Sequence, residues 1–80
     1  MLCCVAHVRN IEFMKSFGKR IYALRIERNF SQEQLANDAD MPINQVGRIE
    51  RGEINTTIST AYALSNAFNV PTKDLFDFSM

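Results

Sequence analysis

Two neighbouring stretches, "FSQEQL" at residues 30–35 and "INQVGRIERG" at residues 43–52, constrain this chain more than any other feature. In the first, Ser31 stands at a helix N-cap with Gln34 at N3, the pattern of a capping box. Phe30 before the cap and Leu35 at N4 make a hydrophobic staple, which fixes the angle at which the chain enters the helix. That helix is expected to run to about Ala39. In the second, Ile43, Val46 and Ile49 recur at every third position, whereas Asn44, Gln45 and Arg48 fall on other faces. Pro42 suits the first turn, where its missing N–H has no partner to lose. Gly52 is a normal residue just past a helix end. Only "DADM" or so separates the two helices, so they must pack across one another. One stripe of the second is then buried, and amide and guanidinium groups point outward.

The rest of the chain reads in the same way. No strand-like alternation persists, and the apolar spacing is helical almost throughout. A first helix is expected over about Ser16 to Arg28, with Phe17, Ile21, Leu24 and Arg28 on one face and Arg25 at its edge. A fourth starts after Thr57, a plausible N-cap, with Ile58, Ala61, Leu64 and Phe68 as its apolar stripe. It stops near Asn69 and Pro71. A short fifth helix, about Thr72 to Asp77, carries Leu75 and Phe76. Asn29, Asp40 and Asn69 each follow a helix, where the chain often needs a left-handed residue that Asn and Asp tolerate. The expectation is an all-α, compact five-helix domain over residues 15–78, preceded by an N-terminal arm at 1–14.

Composition removes most other classes. The chain has 80 residues, which fits one domain, and its 46% apolar content argues against disorder. No apolar run approaches the ~18 residues of a membrane span. The opening "MLCCVAHVRN" has no basic residue ahead of a short apolar part, so it does not read as a secretory signal. Cys3 and Cys4 are adjacent and rarely form an unstrained disulfide, which suits a reducing cytoplasm. With His7 they still lack a fourth ligand for a structural zinc site, so neither a metal nor a cofactor is expected. The sole histidine is His7, and no paired carboxylates, phosphate loop or nucleophilic cysteine setting points to an enzyme. Glu33, Asp38 and Asp40 read as a solvated acidic face. Net charge is zero but uneven. From Arg9 to Arg51 there are eight Lys or Arg against six Asp or Glu; from Gly52 to Met80 there is one against three. Binding to nucleic acid would need a local basic patch.

Two short helices with a tight turn form the helix-turn-helix unit, in which the second helix enters the major groove. From "FGKRIYALRIERNFSQEQLA" through "INQVGRIERGEINTTISTAYALSNAFNV" to "KDLF", the chain resembles the lambda-repressor-like regulators of the Cro and phage-repressor type. The resemblance spans roughly Phe17 to Phe76. It implies a double-stranded DNA partner and a homodimer. It places base-reading positions at Ile43, Asn44, Gly47 and Arg48, and phosphate contacts at Gln32, Gln45, Asn55, Thr56 and Thr57. It also implies a structural ion pair between Arg25 and Glu50, and a dimer surface on the fifth helix and tail, at Leu75, Phe76 and Phe78. Phe76 could equally complete the monomer core.

The sequence departs from that pattern in three places. Pro42 stands where the family usually has a Ser or Thr cap. Ile43 replaces a polar reader and could touch only a thymine methyl or act as a spacer. Gly47 inside the helix costs ~1 kcal/mol against Ala. The discriminating load is then expected on Asn44 for adenine and Arg48 for guanine. Met14 directly precedes "KSFGKR", a natural beginning for the domain, so residues 1–13 are expected to be an arm or to lie upstream of the native start. The rival reading is an antitoxin-like module that binds a toxin or other protein and represses its own operon. The scarcity of Lys after Gly52 suits a protein partner near the fourth helix.

Overall fold

The computed structural model describes residues 10–78. They form four α-helices, α1 (Ile11–Glu27), α2 (Gln32–Asp38), α3 (Ile43–Glu50) and α4 (Ile58–Phe68), followed by a 3₁₀ helix (Thr72–Phe76). Among the described residues there is no strand. No helix among them is long and apolar enough to cross a membrane.

The side-chain N-caps expected for α2 and α4 are formed. The Ser31 hydroxyl accepts from the Gln34 N–H at 3.0 Å, and the Thr57 hydroxyl from the Thr60 N–H at 3.1 Å. Such caps satisfy N–H groups that have no partner inside the helix, each worth ~1 kcal/mol. The three stops are left-handed too: Asn29, Asp40 and Asn69 have φ of 58°, 56° and 60°, and Gly52 has 72°. Pro42 gives α3 no side-chain cap, as its chemistry requires.

Two expectations are corrected. The first helix begins at Ile11 rather than near Ser16, because the Asn10 side chain caps it by accepting from the Phe13 N–H at 2.8 Å. Residues 10–14, expected in an arm, are thus the cap and first turn of α1, and Met14 is buried. Residues 1–9, with Cys3, Cys4 and His7, lie outside the described residues. The fifth helix is 3₁₀, not α: Asp74 N–H bonds back to Pro71 O at 2.9 Å, three residues earlier. Five residues after a proline are too few to repay α-helix nucleation, and 3₁₀ turns serve such short pieces.

The core sits between all four α-helices and the 3₁₀ helix. Ile21, Leu35, Ile49, Leu64 and Leu75 are essentially fully buried there. Each such side chain contributes ~1.5–3 kcal/mol by leaving water. Polar links tie distant segments to this core. Arg20 Nε donates to Asp74 O at 2.9 Å, joining α1 to the 3₁₀ helix. Arg28 Nε donates to Phe68 O at 3.1 Å, satisfying a carbonyl at the C-terminus of α4, where a cation also suits the helix dipole.

Candidate nucleic-acid interface

The outward face of α3 is the centre of the site, and what holds α3 from behind decides where that face points. Arg25 on α1 grips Glu50 at the end of α3 with two parallel bonds, Nε to Oε2 at 2.7 Å and Nη2 to Oε1 at 3.2 Å. Its remaining arm, Nη1, donates to Phe30 O at 2.9 Å in the turn before α2. Gln32 Nε2 donates to Glu50 Oε1 at 3.0 Å. One buried carboxylate thus ties α1, the start of α2 and the end of α3. The pair's side chains are only 10% and 5% exposed, so its partners must all be present for burial to be tolerated.

Backbone contact tightens the same junction. A Cβ placed on Gly18 would lie 2.6 Å from Glu50 O and also against Ile49 O. Only a residue without a side chain lets α1 come this close to the last turn of α3. Gly52, in the left-handed region, rests on Lys15, where a Cβ would meet the lysine Cα at 2.8 Å.

With its back held, α3 shows Asn44, Arg48 and Arg51 to solvent. Their spacing of four and then three residues puts them on one stripe of the helix. Ile43 is about half exposed at 47%, at the N-terminal end, and Gln45 is half-buried. Gly47 is different from its resemblance-based grouping with the base readers: it is buried, and a Cβ there would meet Arg51 Nη1 at 3.0 Å. The guanidinium of Arg51 lies over it. Gln32, grouped with the phosphate contacts, is half-buried and engaged with Glu50.

In the loop after α3, Asn55 is exposed and Thr56 half-buried. The Thr57 hydroxyl is already used, accepting from Thr60 N–H and donating to Thr60 Oγ1 at 3.0 Å. Of the residues named for a dimer surface, Leu75 is fully buried in the monomer core and is therefore corrected to a core residue. Phe76 is 44% exposed and packs on Phe17, with ring centroids 5.1 Å apart, while Phe78 packs on Phe13 at 5.4 Å. Phe13, Phe76 and the 90%-exposed Ile58 border an apolar groove beside the Asn55–Thr57 loop.

The electrostatics at the end of α3 involve two residues that sequence reasoning did not single out. Arg51 Nε donates to Glu53 Oε2 at 2.7 Å, and Arg48 Nε lies 3.9 Å from Glu53 Oε1. The hydrogen bond from Arg51 holds the Glu53 carboxyl below its ordinary value, and Glu53 raises Arg51 in turn. The position of Arg51, seven residues after Asn44, was the available signal for its place on the stripe. Among the described residues no group of His, Cys, Asp and Glu could hold a metal ion.

Comparison with known proteins gives consistent matches. Residues 21–75 match the helix-turn-helix family HTH_3. The chain is 36% identical over 64 residues to control protein C.BamHI of Bacillus amyloliquefaciens, covering 79% of each chain. It is 38% identical over 53 residues to the immunity repressor protein of Bacillus phage phi105, covering 66% of this chain and 37% of the repressor. Among solved structures, the restriction-modification controller protein C.AhdI of Aeromonas hydrophila superposes with a TM-score of 0.78 at 32% identity. The match covers 79% of this chain and 96% of that one.

Proposed function

This chain belongs to the helix-turn-helix family HTH_3, whose members are transcription regulators and not enzymes, and from that premise we propose that it regulates transcription by binding specific double-stranded DNA. The observation that carries this reading is the exposed stripe Asn44–Arg48–Arg51 on a helix braced from behind by Arg25 and Glu50. A braced helix presents its readers in fixed register, which bidentate base contacts require. Asn44 suits the N6 and N7 of adenine, and Arg48 suits the O6 and N7 of guanine, each worth ~1–3 kcal/mol of discrimination. Ile43 can meet only a thymine methyl. Gln45, next to the stripe on α3, and the Asn55–Thr57 loop that follows α3 are the polar groups suited to phosphates. Gln32 Nε2 spends one of its two hydrogens on Glu50, and the other suits a phosphate.

Two copies would place α3 in successive major grooves ~34 Å apart, so the operator is expected to be a near-palindrome. The exposed Phe76, with the half-buried Phe78 next to it in the chain, offers the apolar surface for that pairing. The similarity to the control protein C.BamHI and the restriction-modification controller C.AhdI favours control of a restriction-modification operon.

Fluorescence anisotropy tests this reading, with wild type and Arg48→Ala against the duplex upstream of the chain's own gene and a scrambled duplex, at two salt concentrations. The expected result is a preference for the upstream DNA that Arg48→Ala reduces by ~1–3 kcal/mol. Equal, weak and salt-abolished binding to both duplexes would leave only backbone attraction and turn the reading toward a protein partner.

A further inference from the structure

We infer that Glu53 limits the affinity of the DNA interface by occupying the guanidinium that a phosphate would otherwise take. The inference rests on the DNA reading above.

The backbone puts Glu53 where it can do this. Gly52 turns left-handed after α3 and bonds its N–H to Ile49 O at 3.0 Å, and the Glu53 N–H bonds to Arg48 O at 2.9 Å. This pair of bonds is the Schellman stop, which fixes the residue after the glycine over the last helical turn. The Glu53 carboxylate then receives Arg51 Nε at 2.7 Å and Nη2 at 3.5 Å, with Arg48 Nε at 3.9 Å. All three side chains are about half exposed.

The position is a poor one for helix stability. A carboxylate at a C-terminus faces the negative end of the helix dipole. What it gains there is the two arginines. Arg51 lies on the stripe proposed to face DNA, so a duplex along that stripe brings a phosphate to the guanidinium that Glu53 holds. Phosphate and carboxylate compete for the same planar set of donors. An exposed pair of this kind shifts an equilibrium by no more than about fivefold, so a duplex can displace Glu53, at some loss of affinity. Once displaced, Glu53 takes up a counterion of its own. The wild type therefore shows a shallower salt dependence than its arginines alone would give.

The experiment compares wild type, Glu53→Gln, Arg51→Gln and the double variant by anisotropy on the scrambled duplex over a series of salt concentrations, with the upstream duplex in parallel. Glu53→Gln is expected to bind up to about fivefold more tightly at low salt, with a slope of log K against log salt steeper by about one. More than half of that gain, on a logarithmic scale, is expected to vanish in the Arg51→Gln background. An unchanged Glu53→Gln overturns the inference. So does a gain that persists mostly intact without Arg51, because Glu53 would then act only by repelling phosphate. A wild type that binds neither duplex, even at low salt, overturns the DNA reading and this inference with it. That result differs from a binding wild type with an indifferent Glu53→Gln, which overturns the inference alone.

Discussion

Two glycines inside helices give the sharpest test of the packing, because the same substitution is expected to act with opposite sign. By helix propensity, Gly→Ala gains ~1 kcal/mol at either position. At Gly47 the structure lets that gain appear. The nearest atom to a new methyl is Arg51 Nη1 at 3.0 Å, the far end of an exposed, flexible side chain that can swing away. Gly47→Ala is therefore expected to stabilise by ~0.5–1 kcal/mol. At Gly18 the methyl meets backbone on the facing helix, with Glu50 O at 2.6 Å and Glu50 C at 2.9 Å. Ordinary contact starts at 3.4 Å and Ile49 O lies closer still than Glu50 O, so α1 and the end of α3 must part by more than the 0.8 Å between 3.4 and 2.6. Overpacking of this kind costs ~1–3 kcal/mol, and here it also stretches the buried Arg25–Glu50 pair, so the upper end applies. Net of propensity, Gly18→Ala is expected to destabilise by ~2 kcal/mol. Urea denaturation followed by far-UV circular dichroism measures both, with m-values checking that the denatured state is unchanged. A stabilised or unchanged Gly18→Ala would refute the close approach of α1 to α3, and a destabilised Gly47→Ala would refute the room given to its methyl by Arg51.

Other outcomes follow from the same contacts. Glu50→Ala leaves the Arg25 guanidinium buried without its carboxylate and is expected to cost ~3–5 kcal/mol in the same urea assay, whereas Arg25→Met with Glu50→Leu should recover most of that loss. Leu75→Ala is expected to cost ~2–5 kcal/mol, while Phe76→Ser should cost less in stability and more in self-association measured by sedimentation. Thr57→Ala removes the α4 cap and should cost ~1 kcal/mol in thermal unfolding. Because Arg51 lowers the folded-state pKa of Glu53, the pair's small stabilisation is present above the carboxyl's unfolded value of 4.5 and is lost as pH falls through the lower folded value. An NMR titration of Glu53 should therefore move upward in Arg51→Gln, and an unmoved titration would deny the pairing.

The helix ends were legible because their causes are local. Ser31, Thr57, Asn29, Asp40 and Asn69 act on atoms within a few residues of themselves, so the sequence carries the whole instruction. The pairing of Arg25 with Glu50 was reachable only through resemblance, since nothing in the spacing of residues on two helices says that they meet. Gly18 carried no signal at all. A glycine needed for close approach looks like any other until the facing helix is in place. The start of α1 is harder to read, because the apolar stripe is plain only from Phe17 on and the Asn10 cap stands about two turns upstream of it. Leu75 fitted a surface as well as a core by pattern, and only the α1 and α4 contacts decide between them. Glu53 depends on the left-handed turn at Gly52, which was foreseen as a stop but not as something that aims the next side chain.

Those four left-handed stops, at Asn29, Asp40, Gly52 and Asn69, also bear on how quickly the chain finds its shape. Each junction is decided by a single residue and its immediate neighbours, before any distant part of the chain is in reach. The connection between α2 and α3 can thus bend correctly in isolation, leaving mainly the closure of α1 onto α3 and of Arg20 onto Asp74 to be searched for over longer separations. Chains whose contacts are mostly local fold in microseconds to milliseconds. Exchanging one of these stops for a β-branched residue would be felt first in the rate of refolding, in the seam it joins, while residues beyond that seam would register it only once the whole domain had closed.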